Sequence, residues 1–453
     1  MAIKMGGLKI RGDFTKTGMK VKQSGGGPPS VRYNYAITSA NNYDGPASDI
    51  LRFGSDGTAS KVRSLAYNGL PSIFISSYVT PSGVVRPDGT RVILGEISDL
   101  NYVNSYVAWF VSNPDGTLQN EGNPYVNEDV KQPVTPVVRS DGSIVVPVTR
   151  TNDSSYRILV IHPDNTCSIS TQSTTPALVG GPVAVLNDDS VVFVTTATFT
   201  AKVGVYGSND FYSEISLPSP GGASRVFARG VFKRPDNSLL VYGFYVTGAY
   251  SGQNRYRKTF CMWQISDGVA SLLEVNGPDG QPADIPILTT SFLVPSFQMS
   301  NGLIFLTVLR TINSGLGLEF GKILIDSNNR VTYTSYGSSD APFTFASQKA
   351  RDEKYICDGT DPTNNVPAFV QCNLDGSETI IAASGTYSSD YPNNFTGLAD
   401  YVRENKSIIT TYQDLSTNNI STYVLNYDNT IVGPVATYSY NDGTISIYVS
   451  SMW

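Results

Sequence analysis

Histidine is almost missing from this chain: His162 is the only one among 453 residues. Catalytic triads built on histidine and multi-histidine metal sites need more than that, or a partnered one. His162 falls in V-I-H-P-D-N-T, and so reads as an exposed turn residue. Charge is thin as well, at 15% of residues. No apolar run approaches the ~18 residues that cross a bilayer as a helix. The N-terminal M-A-I-K-M-G-G-L-K-I has no apolar core of a secretory signal, which makes folding in a cytoplasm the expectation. G-x-S-x-G, a phosphate loop and a dinucleotide-type glycine motif are all absent, which removes the commonest nucleophile and nucleotide chemistries. Sustained helical periodicity is lacking too. The nearest approach is S-S-D-A-P-F-T-F-A-S-Q-K-A-R-D-E, broken by proline and β-formers.

What the chain has in quantity is glycine (41), proline (26) and tyrosine (27), the composition of a turn-rich β protein. A short phrase returns in two interleaved series. In one, a tight polar turn feeds an apolar strand: R-P-D-G-T-R-V-I-L at Asp88, R-S-D-G-S-I-V-V at Asp141, L-N-D-D-S-V-V-F at Asp188, R-P-D-N-S-L-L-V at Asp236, then at Asn301, Glu353 and Glu404. In the other, a similar turn follows a strand, at Asp56, Asp115, Asp164, Asn209, Asp267, Ser327, Asp375 and Asp428. Asp-Gly, Asn-Gly and Asp-Asn between apolar runs signal hairpins, with type I′ turns as the expectation. The first series steps by 53, 47, 48, 65, 52 and 51 residues. Two hairpins per unit at that period are how four-stranded propeller blades read in sequence. The first turn joins strands A and B, the second C and D.

The second series has eight turns and the first has seven. The first unit (Val31–Ile37, Asp49–Phe53, Ala59–Val62) looks like B, C and D without A. Ile445–Val449, after a hairpin turn at Asp442, reads as its missing strand A. A ring sealed by strands from both ends leaves no open edge at the seam. The fold expected is one all-β propeller over residues 31–453, with eight four-stranded blades and seven as the runner-up.

Residues 1–30 carry Lys4, Lys9, Arg11, Lys16, Lys20 and Lys22 against Asp13, in a glycine-rich setting ending S-G-G-G-P-P-S. Such a segment cannot bury enough apolar area to fold alone. It reads as a disordered tail or as an arm docking on an acidic partner, with Lys9, Arg11 and Lys16 as its contacts. The rest of the chain is acidic and repels phosphates, which argues against nucleic acid as a partner. The segment Tyr242–Arg257 reads as the longest B–C insertion, aromatic and cationic, with Tyr250, Tyr256 and Arg257 as interface candidates.

Four cysteines, Cys167, Cys261, Cys357 and Cys372, form no C-x-x-C pair. Cys357 and Cys372 fall on strands B and C of one unit, where a disulfide is conceivable but two half-buried thiols are expected. Trp109 and Trp263 fall on C strands and read as core. Carboxylate chemistry is the one enzyme class left open, yet most Asp are spent on turns. Ser55 begins only a fragment of the Asp-box turn of sialidase-like chains. A calcium loop at Asp358, in D-G-T-D-P-T-N-N, lacks the usual ligand ladder. No metal, cofactor, catalytic residue or membrane contact is expected.

The N-terminal arm, the all-β ring, the low charge and the Ser/Thr/Asn/Tyr-rich loops together resemble bacteriophage virion proteins, more narrowly the propeller-containing hub or nozzle proteins of short-tailed phages. The resemblance implies a non-enzymatic structural role in a virion, as tail hub, nozzle or adaptor, with other virion proteins and copies of itself as partners and a host-surface glycan as a further one. A carbohydrate-binding or glycoside-cleaving propeller is the alternative.

Overall fold

In the computed structural model the described residues run from 33 to 452, apart from 43–44, 55–58, 65, 68–69, 72, 76–82, 99–104, 116, 121–122, 153–154, 171–176, 198–199, 248–256, 284, 288–291, 313–316, 339–347, 362–365, 384–400, 403–407, 415–418 and 440–443. Among them every regular element is a strand. The strands form eight antiparallel sheets of four or five strands, with one two-stranded ribbon, Ala66–Tyr67 paired to Leu70–Pro71. The fold is an all-β propeller.

The fifth sheet shows the plan. Its strands are Arg225–Lys233 (A), Leu239–Thr247 (B), Arg257–Ser266 (C) and Val269–Leu273 (D). They lie side by side in that order, with Pro286–Ile287 added against C. Strands A of neighbouring sheets touch one another: Ala177–Val185 of the fourth sheet packs on Arg225–Lys233, and Gln348–Arg351 of the seventh on Tyr401–Val402 of the eighth. Strand A is therefore innermost and D outermost. Burial follows this order. Strand C of the third sheet, Tyr156–Ile161, is buried throughout, because its two faces meet two neighbouring sheets. Strand D of the fifth, Val269–Leu273, is mostly exposed. That is why B and C read as continuous apolar runs and D does not. Val241 and Trp263 pair across B and C and pack with Val192, Val194 and Val203 of the fourth sheet. Each such buried side chain contributes about 1.5–3 kcal/mol. The Trp263 indole also donates to Pro218 O at 2.8 Å, tying the chain entering the fifth sheet.

The expected seam is present. The first sheet runs Ala59–Ser64, Gly45–Gly54, Tyr33–Asn42, Thr444–Met452, so the C-terminal strand fills position A beside three N-terminal ones. Its register pairs Thr38 with Val449 and Ala40 with Ile447. Ala59–Ser64 in turn contacts Ile431–Ser439 of the eighth sheet.

The tight turns join A to B and C to D as expected, but their geometry differs. Type I′ needs two successive residues with positive φ. Among the described residues only Asp267 and Gly268 form such a pair. Elsewhere a single residue takes the left-handed conformation: Gly89, Gly142, Asn165, Asp189, Asn237, Gly302, Asn329, Gly376 or Asn429. The backbone closes as Gly89 N to Arg86 O and Arg86 N to Thr90 O, and the same pair of bonds recurs at Arg139, His162, Leu186, Arg234, Met299, Asn373 and Asn426. This is a three-residue loop, a type I turn followed by a left-handed residue. The Asp in the middle fixes it, since its Oδ1 accepts from the backbone N–H two residues on. Asp88 takes Thr90, Asp141 takes Ser143, Asp236 takes Ser238 and Asp428 takes Thr430. An Asp one place before the left-handed residue was the visible signal. The two-residue reading missed that the second turn position stays at negative φ.

Arginine at the head of these turns staples one sheet to the next. Arg86, Arg139 and Arg234 stand two residues before Asp88, Asp141 and Asp236, and all three are buried. Arg86 donates to His162 O and Asn165 Oδ1 of the third sheet. Arg139 donates to Gly207 O and Asp189 O of the fourth. Arg234 donates to Gly302 O, Asp326 O and Asn329 Oδ1 of the sixth. The planar guanidinium fork spreads its donors over acceptors on two separate turns, farther apart than the single nitrogen of an ammonium reaches.

Strand A breaks its pairing in mid-course in several sheets. Shifts fall between Gly180 and Ala184, between Ala228 and Gly230, and between Leu293 and Ser296. Pro182 and Pro295 occupy two of these breaks, as prolines do on edge strands. In the fifth sheet the extra residue is Arg229. Opposite it, a Cβ on Gly243 would meet Phe227 O at 2.0 Å, so glycine alone permits that approach.

Three expectations need correction. Tyr242 is no loop residue: it lies in strand B of the fifth sheet, 1% exposed, with its hydroxyl 3.0 Å from Ser296 Oγ. The loop proper, 248–256, lies outside the described residues. Asp358 and Asp361 belong to strand Lys354–Asp361, not to a calcium loop. Gln348–Arg351, in the segment whose proline and β-formers argued against a helix, is a strand, in keeping with that reading. Cys357 and Cys372 form no disulfide and are wholly buried rather than half-buried; Cys357 pairs with Val370, so the two thiols are diagonal and not opposite.

Candidate functional site

The A–B turns of four consecutive sheets converge on one recess of about 570 Å³. Asn187 comes from the fourth sheet, Lys233 to Pro235 from the fifth, Gln298 to Ser300 and Gly302 from the sixth, and Asp352 and Glu353 from the seventh. Because strand A is innermost, this recess is the mouth of the ring axis on the tight-turn face. A second hollow of about 210 Å³ continues from it, sharing Arg234, Pro235 and Gly302 and adding Gln264, Ser327 and Asn329. A third, of about 320 Å³, shares Asn329 and reaches Leu273, Glu274, Asn276 and Arg330 at the outer edge. The three form a radial groove from axis to rim along the seam between the fifth and sixth sheets.

Hydrogen bonds tie the floor of the groove to the sixth sheet. Arg234 lies 8% exposed beneath the groove with its three acceptors on the sixth sheet. Burial holds the Arg234 guanidinium below its ordinary pKa, with Asp326 and Asp236 opposing the shift. The side-chain and backbone hydrogen bonds from Ser238 hold the Asp236 carboxyl low. At the axial end the Lys233 ammonium donates to Asn187 Oδ1, and Tyr427 donates to Asp352 Oδ2 at 3.1 Å. At the rim Arg330 donates to Pro278 O at 2.8 Å. The walls thus offer one cation beside two carboxylates at the axis, neutral amides and hydroxyls midway, and a second cation beside Glu274 at the edge. A volume of this size is in the range of ligand sites, which run ~300–1,000 Å³. Neutral donors and acceptors in a long trench suit a polar, extended ligand more than a compact apolar one.

The described lining of this groove includes none of the interface candidates read from sequence. Lys9, Arg11, Lys16, Tyr250 and Tyr256 lie outside the described residues, and of Arg257 only the backbone is described, pairing with Thr247 at the start of strand C. The groove residues went unnoticed in sequence because they are turn residues that every sheet shares. The arginines, by contrast, were visible as R-P-D and R-S-D.

The single histidine does contact a hydroxyl. His162 Nε2 lies 3.0 Å from Ser168 Oγ, on the exposed C–D hairpin of the third sheet. Asp164, nearest in sequence, spends its Oδ1 on the Thr166 N–H and hydroxyl at 3.0 and 2.6 Å. The pair lies outside the groove. Among the described residues no three His, Cys, Asp or Glu side chains converge as for a metal ion.

No family model matches the chain, and no curated protein does either. Solved structures do. The propeller domain of the Trilobed protease from Pyrococcus furiosus is similar at 11% identity and a TM-score of 0.46, over 81% of this chain and 98% of that one. Dipeptidyl peptidase 4 of Porphyromonas gingivalis is similar at 12% identity and a TM-score of 0.46, over 91% of this chain and 60% of that one. The Dos1 propeller matches at 9% identity and a TM-score of 0.45, over 83% and 87%. The chain spans about half the length of the acylaminoacyl peptidase of Pyrococcus horikoshii, of which it covers 52% at 12% identity and a TM-score of 0.44. These likenesses concern the fold. They correct two expectations, however. The structures named are propellers of peptidases and of Dos1, not of phage tails, and the virion role is withdrawn. The expectation of a protein without catalytic activity is withdrawn with it, the structures named including propellers of peptidases. Both had rested on architecture, loop composition and missing motifs, features a propeller shares whatever work it does.

Proposed function

We propose that this propeller is a polypeptide-recognition domain that takes an extended segment of a partner or substrate protein into the groove between its fifth and sixth sheets. The observation that supports it is the run of three hollows sharing Arg234, Pro235, Gly302 and Asn329 from the axial mouth to the rim. An extended chain presents alternating N–H and C=O groups, and Gln264 and Ser327 are side chains able to pair with both kinds. Lys233 with Asp352 and Glu353 at one end, and Arg330 with Glu274 at the other, give the trench a means of choosing ligand charge at its ends. The stapled floor keeps the trench open before binding, which reduces the ordering cost of association. The groove, and not the fold likeness to peptidase propellers, carries this reading.

A fluorescent peptide library of mixed sequence, about ten residues long, titrated with the purified chain is the test. Saturable binding is expected. Ser300→Trp and Gln264→Trp, which fill the axial and middle hollows from partly or fully exposed positions, should each weaken it by about tenfold or more. Peptides that fail to bind, or that bind both variants as well as the parent chain, would overturn the assignment.

A further inference from the structure

The outer hollow of the groove has a wall that the four-stranded plan does not supply. Beyond strand D of the fifth sheet the chain makes one more hairpin. Gly277 N donates to Gln281 O at 2.8 Å and Gly280 N to Gly277 O at 2.9 Å. Asp279 Oδ1 accepts from Gln281 N, so this is the same turn that joins the strands of the ring. Asn276 pairs with Pro282 across the hairpin and with Arg330 of the sixth sheet beside it. Val331 N donates to Asn276 O, and Arg330 to Pro278 O, both at 2.8 Å. The hairpin is thus docked on the C–D turn of the sixth sheet, and the hollow of about 320 Å³ lies between the two.

The polar side chains lining this hollow are not spent on one another. Asn276 Oδ1 is buried and accepts no hydrogen bond among the described residues. Its Nδ2 reaches Glu274 Oε2 only at 3.5 Å, near the limit for such a bond. Arg330 commits Nη1 to Pro278 O, and its Nη2 has no acceptor among the described residues. That nitrogen stands 3.9 Å from the place a Cβ on Gly280 would take, on the wall of the hollow. A buried acceptor without a donor is costly, so a ligand that supplies the donor is favoured. The last torsion of an asparagine side chain is soft. A partial turn about it gives up the long contact to Glu274 and presents Oδ1 to the hollow.

We propose that the outer end of the groove is a specificity pocket for a primary carboxamide of the bound segment, which rests on the groove being a polypeptide site. A glutamine or asparagine side chain carries that group, and so does an amidated C-terminus. The carboxamide NH2 donates to Asn276 Oδ1 and to the Glu274 carboxylate, while its carbonyl accepts from Arg330 Nη2. Other side chains meet only part of this set. A carboxylate is repelled by Glu274 and brings no proton to Asn276. An ammonium is repelled by Arg330 and brings it no acceptor. A hydroxyl or a neutral imidazole has one donor for two acceptors. An apolar side chain strips water from all three groups and pairs with none. Sites built to hydrogen-bond a particular group reject ligands that lack it more sharply than apolar pockets do.

Selection of a mixed-sequence peptide library on the immobilised full chain, with the bound pool sequenced, tests this. Glutamine and asparagine should be enriched over glutamate, aspartate and lysine. In one such binder with a free C-terminal acid, exchanging its glutamine for glutamate should weaken binding by about tenfold or more. A binder lacking both amide residues, compared as C-terminal acid and C-terminal amide, separates the side chain from the chain end as the source of the group. Asn276→Leu should bind the glutamine and glutamate peptides within about threefold of each other. Asn276→Asp keeps the shape of the side chain and should move the preference towards lysine, which keeps the question answerable where Asn276→Leu upsets the hairpin. A purely structural role for Asn276 would weaken all these peptides alike. Peptides that bind with no preference for carboxamide over carboxylate, or a preference that survives both Asn276 variants, overturn this assignment and leave the groove standing. No peptide bound at all overturns both.

Discussion

Removing the Arg234 side chain tests whether the staples hold the ring together. Arg234→Ala deletes bonds of 3.0 Å to Gly302 O, 3.1 Å to Asp326 O and 2.7 Å to Asn329 Oδ1. Hydrogen bonds to a charged group are worth about 1.5–3 kcal/mol each. Their sum overstates the loss for two reasons. The guanidinium has already given up hydration, as its lowered pKa records, and that penalty disappears with it. Water also reaches Asp326 and Asn329, which are only partly buried, whereas Gly302 O is left without its donor in a buried residue. The net cost is therefore about 3 kcal/mol. With an unfolding entropy of about 2.1 cal/mol/K per residue over about 420 residues, this lowers the melting temperature by about 3 °C. Scanning calorimetry measures it, and amide exchange around Gly302 and Asn329 should quicken more than exchange in the second or third sheet. Arg234→Lys should recover only part, because an ammonium cannot span three acceptors on two turns. A melting temperature within about 1 °C of the parent for Arg234→Ala would refute the staple as a source of stability.

Ending the chain before Thr444 removes the whole of the strand Thr444–Met452 and exposes the edge of Tyr33–Asn42; aggregation on expression is expected, and a soluble truncation with unchanged melting would refute closure by that strand. The turn carboxylates set an acid limit. Bonds from the backbone or hydroxyl two residues on hold Asp88, Asp141, Asp236 and Asp428 below the ordinary carboxylate range. Their folded pKa values lie under the unfolded value of about 3.9, so their contribution is complete above that pH and disappears as the pH falls through the folded values. Denaturant midpoints measured from about pH 6 down to about pH 2 should be level and then fall. Asp236→Asn should keep neutral-pH stability while flattening part of that fall, since Asn301 already accepts the equivalent bond from Leu303 N; an unchanged acid profile would sink the assignment.

Much of the ring was legible because it is local. An Asp before a left-handed Gly or Asn writes each hairpin into about five residues, and the strands beside it alternate or run apolar according to how many faces they bury. The closing strand could be found by counting, since one unit lacked a strand and Ile445–Val449 was left over. The turn type was misread because Asp-Gly is compatible with both two- and three-residue loops, and only φ at the Asp separates them. Tyr242 was misread because tyrosine suits an exposed loop and a buried strand alike; its partner Ser296 stands 54 residues away.

The groove and its outer hollow were not legible at all. Asn276 and Arg330 lie 54 residues apart in sequence, and only the docking of an extra hairpin on the next sheet pairs them. Asn187, Lys233, Ser300 and Asp352 belong to four different repeats, and nothing in any one of them marks the recess they share. The sequence by itself determined the repeat, its hairpins, the sealing of the ring by its last strand and the scarcity of histidine chemistry, because each of these depends on residues that are neighbours in the chain or on simple composition. Only the tertiary structure decided which turns meet at the axis, which seam opens into a groove and where charge gathers. Those depend on how successive sheets are stacked, and that stacking is set by long-range packing between blades rather than by any local pattern.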